Sequence, residues 1–339
     1  MLKKKHHIIF SQDSKNNNFY GINEIINNLI KKINNKKNIK VENVSLNKFF
    51  KISNKIKNSN LVHIHGCWSL IHIIVFIYSK IYKKKIFFSP HGMLMPKALE
   101  IKSLKKKIAL FLYQKNIIKN CNKVIVNSEL EKKTFKRIFN HNKIIVIPHG
   151  INVNKKNYFI KKKNKKLNFV FFSRIHPIKG LSNLVKIWKD SSLLKNINLT
   201  IYGKNQDDLY FKKIKPFFGK NIKYLGQLNT INKYKKLRKY DVLIYPSLSE
   251  NFGIIILEAL NAGLFVLIKK NLPWNFLPKE YGRLIAMDKK NLEKQVISLI
   301  NKKKNSYIYK NKANLRKYLI NKFSWEKIAN KYLNQYNIM

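Results

Sequence analysis

Residues Pro246 to Gly263, PSLSENFGIIILEALNAG, constrain the fold more than any other stretch of this chain. The apolar run DVLIYP, Asp241 to Pro246, predicts a strand leading into them, and after Gly253 the pattern turns helical. Gly263 stands where a helix ends on a left-handed residue. A strand, a polar corner and a helix N-terminus are the repeating unit of parallel α/β sheets, and the corner is where such sheets hold phosphorylated ligands. Two carboxylates eight positions apart, Glu250 and Glu258, bracket that corner.

The rest of the chain repeats the unit. In the first half, strands are predicted at His7–Phe10, Ile39–Leu46, Leu61–His65, Ile86–Ser89, Lys123–Val126 and Lys143–Ile147. Helices fall at Ile22–Ile33, from Trp68 to about Tyr82, along a Lys-rich amphipathic stretch through Asn120, and after the cap Asn127-Ser128-Glu129. A basic, low-complexity segment, Lys155 to Lys166, reads as a linker. The pattern then restarts with strands at Asn168–Phe172, Asn198–Tyr202, Ile222–Leu225, Asp241–Pro246 and Leu264–Ile268. Helices follow Leu181 and Ile231, and the chain closes on helices at Asn291–Asn301, Lys310–Lys322 and from Phe323 to Tyr336. The expectation is an α/β chain of two Rossmann-like domains facing a cleft, residues 1–160 and 161–322, with 323–339 as a last helix.

Composition narrows the function. With 339 residues, 45% of them hydrophobic, the chain can bury two cores. Lys and Arg number 70 against 16 Asp and Glu, a formal charge of +54, yet only five of the bases are Arg. Lys spread everywhere, without clustered Arg or interleaved aromatics, reads either as diffuse compositional bias or as attraction to an anionic membrane surface, which it suits at least as well as nucleic-acid readout. Cys67 and Cys121 are too few for a disulfide scaffold or a metal site, which points to a reducing cytosol. The most apolar stretch, Trp68 to Tyr82, is interrupted by His72 and Lys80 and falls short of the roughly 20 residues of a membrane span. The expected location is the cytoplasm, peripheral on the inner face of the cell membrane.

Three clusters carry candidate chemistry. Glu250 precedes a helix whose first amides, at Asn251, Phe252 and Gly253, can face a ligand, and Glu258 lies about one turn further on. Carboxylates accept from vicinal sugar hydroxyls, and Glu258 sits within IIILEAL, where an unpaired charge would be costly. The bland alternative is a helix-terminal charge and a surface residue. Arg174 and Lys179, in FFSRIHPIKGLSNL, straddle a strand-to-helix loop with Gly180 opening the helix, which is a phosphate site by charge and dipole unless the loop is merely solvated. Arg174 weighs more because Arg is scarce here. His91, in SPHGM, ends a strand as a polar cleft residue, and His63 and His65 point to one side of another. His63 reads as a core histidine, and His149 and His176 as loop residues. No carboxylate or Cys joins the histidines at ligand spacing, so no metal is expected.

These strings together, LVHIHGCW, SPHGMLMPKAL, VIVNSELE, VIPHGIN, FFSRIHPIKGL, LTIYG, IKYLGQL, DVLIYPSLSENFGIIILEALNAG and NLPW, resemble the family 4 glycosyltransferases, retaining enzymes of the GT-B fold, over essentially the whole chain. The SPHGMLMPKAL and NLPW strings look like the branch that builds bacterial surface polysaccharides on lipid carriers. The resemblance implies a nucleotide-sugar co-substrate, no other cofactor, and a lipid-linked saccharide acceptor at an anionic membrane. It implies catalytic roles for Glu250, His91, Arg174 and Lys179. Arg174 and Lys179 would hold the donor diphosphate. Glu250, with the amides of Asn251, Phe252 and Gly253, would hold the donor sugar, and Glu258 the ribose. His91 and Gly21 would lie on the acceptor side, and the last helix would cross back to the first domain. A sugar-nucleotide epimerase of the same fold is the alternative enzyme, and a basic nucleic-acid-binding protein the alternative class. The first loop departs from the family pattern, with Asn17-Asn18-Phe19-Tyr20 before a single glycine, Gly21.

Overall fold

The computed structural model describes residues 6–11, 20–36, 38–44, 51–100, 103–153, 167–228, 232–304 and 312–337. The loop expected between Ser11 and Tyr20 and the linker expected at Lys155–Lys166 lie outside these residues. The chain divides into two compact units, the first formed by Met1–Asn152 with Lys322–Met339 and the second by Val153–Asn321. Each is an α/β layer structure around a six-stranded parallel sheet.

The first unit runs β1 (His6–Ser11), α1 (Tyr20–Asn34), β2 (Ile39–Val44), α2 (Ile52–Lys57), β3 (Leu61–His65), α3 (Leu70–Ile81) and β4 (Lys85–Ser89). The Lys-rich stretch expected as one helix is instead α4 (Pro96–Glu100), α5 (Ser103–Ala109), a π-helical turn at Leu110–Gln114, and α6 (Lys115–Asn120). Then come β5 (Lys123–Val126), α7 (Glu129–Phe139) and β6 (Ile144–Val146). The sheet order is β2-β1-β3-β4-β5-β6. Helices α2, α3, α6 and α7 bury apolar side chains in one core cluster, while α1 contributes to another. The N-cap of α7 behaves as its sequence predicts, the Ser128 hydroxyl accepting from the Glu131 amide at 3.1 Å.

The second unit runs β7 (Phe169–Phe172), α8 (Leu181–Asp190), β8 (Leu199–Tyr202), α9 (Asp208–Ile214), β9 (Ile222–Tyr224), α10 (Lys233–Leu237) and β10 (Val242–Tyr245). It continues through α11 (Ile254–Asn261), β11 (Phe265–Lys269), β12 (Gly282–Ile285), α12 (Lys289–Lys304) and α13 (Lys312–Phe323). Strand β10, VLIY, is buried at all four positions, the pattern of a parallel strand covered on both faces. Two elements here were not anticipated, α9 and β12. In β12 the backbone at Gly282 lies so close to β11 that a Cβ would fall 2.4 Å from the Val266 side chain. Its glycine is a packing requirement that hides the strand from periodicity.

The last helix, α14 (Trp325–Tyr336), belongs to the first unit. Six of its residues are buried, among them Trp325, Tyr332 and Tyr336, packed in the same cluster as α1. Trp325 fixes Gly150, where a Cβ would sit 2.4 Å from the indole. No helix among the described residues is long and apolar enough to cross a membrane.

Candidate functional site

The second sheet has the order β12-β11-β10-β7-β8-β9. From β7 the chain winds outward through β8 and β9, and from β10 it winds the other way through β11 and β12. The crossovers diverge between β7 and β10, and a crevice opens there beyond the carboxyl ends of both strands. The loop after β7 carries Arg174, Lys179 and Gly180, and the loop after β10 carries Glu250 to Gly253. The two segments that sequence reading marked out about 70 residues apart therefore meet at the switch point.

They are sewn together by backbone. The Leu248 amide donates to the Ile178 carbonyl at 2.8 Å. Gly180, at φ 68°, lies against the Pro246 carbonyl, which a Cβ would approach to 2.4 Å. Only glycine meets both demands. Across this seam the Lys179 ammonium reaches Glu250 Oε1 at 2.5 Å, with the two side chains 9% and 11% exposed. The Tyr245 hydroxyl, at 2.6 Å, and the Ser247 hydroxyl, at 2.8 Å, donate to the same oxygen. Burial first, and the Glu250 carboxylate second, push the Tyr245 hydroxyl well above its ordinary range, so it remains a donor. All three bonds fall on Oε1 and none of them on Oε2, so Glu250 is held rigidly with one oxygen committed.

Arg174 stands differently. Its side chain is exposed, and its Nη1 donates to Gln206 Oε1 at 2.9 Å, which orients the guanidinium without neutralising it. Gly253, at φ 81°, opens α11. The corner before it is pinned by Trp274, a fully buried residue whose indole N–H donates to the Phe252 carbonyl at 2.5 Å. Glu258 is not left unpaired, since Lys233 meets its Oε1 at 2.5 Å and each side chain is 12% exposed.

Sequence reading placed Arg174, Lys179, Glu250, Asn251, Phe252, Gly253 and Glu258 on one site, and all seven lie in this unit. It did not foresee that Lys179 and Glu250 are each other's partner. It also missed Tyr245, Ser247, Gln206, Lys233 and Trp274. Tyr245 and Ser247 flank Pro246 at a strand end, a signal that was available. Lys233 gave none among 65 lysines.

The first unit gathers its own polar residues where its strands end, namely His65 as the last residue of β3, His91 after β4, Asn127 after β5 and His149 after β6. All four are buried. The Asn127 amide nitrogen donates to the Ile147 carbonyl at 3.1 Å, which turns its oxygen toward His91 Nδ1 at 3.2 Å. His91 Nδ1 is thereby the protonated nitrogen, and burial lowers the ring's pKa to about 4, leaving Nε2 a lone-pair acceptor. That lone pair takes the Nδ1–H of His65 at 3.0 Å. Both His91 nitrogens are thus engaged inside the unit, and the ring can offer Nε2 to a ligand only when His65 releases it. The chain of tautomers ends on His65 Nε2, a buried acceptor with no hydrogen-bond partner among the described residues. His91 itself holds φ 50°, a strained value for a residue with a side chain. The adjoining backbone is fixed by Glu131, whose carboxylate accepts from the Gly92 amide at 2.6 Å and the Asn127 amide at 2.7 Å.

His63 is the core histidine its position predicted, bonded to Tyr336 Oη at 2.6 Å and Ser89 Oγ at 2.9 Å. His149 lies in the loop after β6, as expected, and is buried there with its ring stacked 6.0 Å from that of His91. Gly21 lies in the first turn of α1, next to residues outside the described set. Among the described residues no group of three or more His, Cys, Asp or Glu is placed to hold a metal ion.

Residues 153–316 match the glycosyl transferases group 1 family, and residues 9–155 match glycosyltransferase family 4. A 41.2 kDa uncharacterized protein in the cps region of Klebsiella pneumoniae is 26% identical over 300 residues, covering 83% of this chain and 80% of that one. Among solved structures, HepE from Anabaena in complex with UDP-glucose superposes with a TM-score of 0.72 at 16% identity, over 98% of this chain and 100% of that one. Sucrose-phosphate synthase from Thermosynechococcus elongatus gives 0.71 at 15% identity, over 98% of both chains.

Proposed function

We propose that this chain, a glycosyltransferase of the GT-B fold related to the group 1 and family 4 enzymes, moves a sugar from a nucleotide-sugar donor to a lipid-linked saccharide, with retention at the transferred carbon. The observation that carries the donor reading is the Lys179–Glu250 pair clamped at the switch point beside the unneutralised Arg174. The Arg174 guanidinium and the remaining N–H bonds of Lys179 would hold the leaving diphosphate, whose charge grows as the glycosidic bond breaks. Glu250, with Oε1 committed, would turn Oε2 and the amides of Asn251, Phe252 and Gly253 to the donor sugar. Glu258 would take the ribose, and His91 and Gly21 would serve the acceptor side. Anionic lipid would hold the basic chain at the inner face of the membrane.

The complex of HepE with UDP-glucose makes that compound the first donor to try. In a thermal-shift screen of nucleotide sugars, one donor should raise the melting temperature of the wild type by mass action and fail to raise that of Arg174→Ala. With that donor and a lipid-linked saccharide fraction, the product should keep the donor's anomeric configuration by NMR. A screen in which no nucleotide sugar shifts the protein would remove the reading, and inversion would remove its retaining part.

A further inference from the structure

Helix α3 and the α5–α6 segment pack on one core cluster through Ile71, Val75 and Phe76 and through Leu110, Tyr113 and Ile117. An amphipathic helix so placed should turn polar residues outward. These do not. On α3, Leu70, Ile77 and Ile81 are 64%, 50% and 61% exposed. On α5 and the π-helical turn, Leu104, Ile108, Phe111 and Leu112 are 71%, 51%, 80% and 68% exposed. Seven of the fifteen exposed large apolar side chains among the described residues thus sit on these two elements, so this is a patch and not scatter. The π-helical turn contributes to it. It lets both Tyr113 and Gln114 turn toward the core while Phe111 and Leu112 stay outside.

Along the α5–α6 segment the charges are of one sign. Residues 103–120 hold five Lys and no carboxylate, with Lys105, Lys107, Lys115 and Lys119 exposed, and Lys80 lies in the last turn of α3 with Lys83 just beyond it. A second copy of the chain would bring like charges face to face, each copy carrying +54. An apolar ridge with long cationic side chains along its flanks instead matches a bilayer with anionic headgroups, where the lysines reach up to phosphate and the ridge enters the acyl boundary.

We propose that the outer faces of α3 and α5–α6 are the membrane-docking surface of this protein, with Phe111 and Leu112 inserted into an anionic leaflet. This deepens the lipid-linked reading above and rests on it for its purpose. It also adds something diffuse Lys charge cannot supply, a binding component that survives high salt.

The experiment is co-sedimentation of the full chain with vesicles of phosphatidylglycerol and phosphatidylethanolamine, at about 0.1 and about 0.5 M NaCl, so that screening separates the two components. The wild type should bind at both, more weakly at the higher. Phe111→Ser/Leu112→Ser should lose at least tenfold in partition at the higher salt, and Lys105→Gln/Lys107→Gln should lose partition only at the lower. Phe111→Trp gives an independent readout, with fluorescence quenched by brominated lipid beyond the wild-type background. Binding by the serine variant equal to the wild type, no high-salt binding by the wild type, or indole fluorescence of the Phe111→Trp variant that brominated lipid leaves unquenched would each overturn the proposal. So would lipid-free self-association that the serine substitutions abolish, which would make a second copy the occupant. The nucleotide-sugar thermal shift of each variant separates the two readings, since the donor site can fail while docking stands, and the reverse.

Discussion

Where the strands of the first sheet end, the polar groups are buried as neutral histidines; where those of the second sheet end, they are buried as ions in pairs. The first arrangement tolerates burial by shedding protons, with His91 lowered to about 4 and His149 to about 3, in each case mainly by desolvation. The second pairs its groups as salt bridges, Lys179 with Glu250 and Lys233 with Glu258, each at 2.5 Å. A neutral, hydrogen-bonding surface suits hydroxyl-rich ligands, and a fixed ionic one suits a diphosphate and the sugar beyond it. The same layer architecture thus carries two kinds of polar lining at its sheet ends.

The largest effect should come from the ionic side. Glu250→Gln preserves shape but removes the charge, and kcat/KM should fall by about 10²- to 10³-fold if Glu250 contacts the donor. It also leaves Lys179 buried without its counter-ion, at about 3–5 kcal/mol of stability. The double variant Lys179→Met/Glu250→Gln separates these consequences. It should recover much of the melting temperature and none of the turnover. Recovered turnover would mean that the pair only holds two loops together, and the contrast between the sheets would then be structural and not functional.

The neutral side should be exposed by acid. Below the ordinary histidine value of 6.5, the unfolded chain takes up protons that the buried rings refuse, so unfolding gains as pH falls and full stability is present only above that value. A ring kept neutral down to about 4 forfeits on the order of 3 kcal/mol by pH 4. Two or three such rings exhaust the stability of an ordinary domain. Hydrogen exchange followed from about pH 7 to about pH 4 should show the first unit losing protection before the second, whose His176 is lowered too but lies nearer solvent. Loss of protection in both units at one pH would erase the comparison.

The sequence was most legible where scarce residues carry the work. Arg174, Glu250 and Glu258 stand out because Arg and Glu are rare in this chain, and positive-φ positions such as Gly180, Gly253 and Gly263 stand out because only 11 glycines occur. The parallel strands were legible as buried apolar runs. Partners drawn from the abundant pool were not, as Lys233 shows, and neither was the pairing of Lys179 with Glu250, which depends on a contact 71 residues apart in sequence. The continuous Lys-rich helix failed for a related reason. Lys spread along this stretch hides which helix face is outward, so the exposure of Phe111 and Leu112 was not legible. His149 lies in a loop as read, but its burial was not legible, because a histidine after a strand carries no mark of it.

Two smaller effects test how closely the ionic side depends on its backbone seam. Gly180→Ala must either leave the left-handed region or push its methyl against the Pro246 carbonyl, so the loops after β7 and β10 should part. The cost is about 1–2 kcal/mol from backbone conformation alone, with donor affinity down about tenfold by isothermal titration. Trp274→Phe asks less. It keeps the buried ring and removes the N–H that fixes the Phe252 carbonyl, worth about 1 kcal/mol as a neutral hydrogen bond. The donor KM should rise a few-fold, because the amides before α11 lose their anchor, while kcat stays close to the wild type. An unchanged KM with the same loss of stability would show that Trp274 supports the fold and not the corner. The first-unit histidines should be indifferent to either substitution, their acid response unchanged in the same hydrogen-exchange measurement.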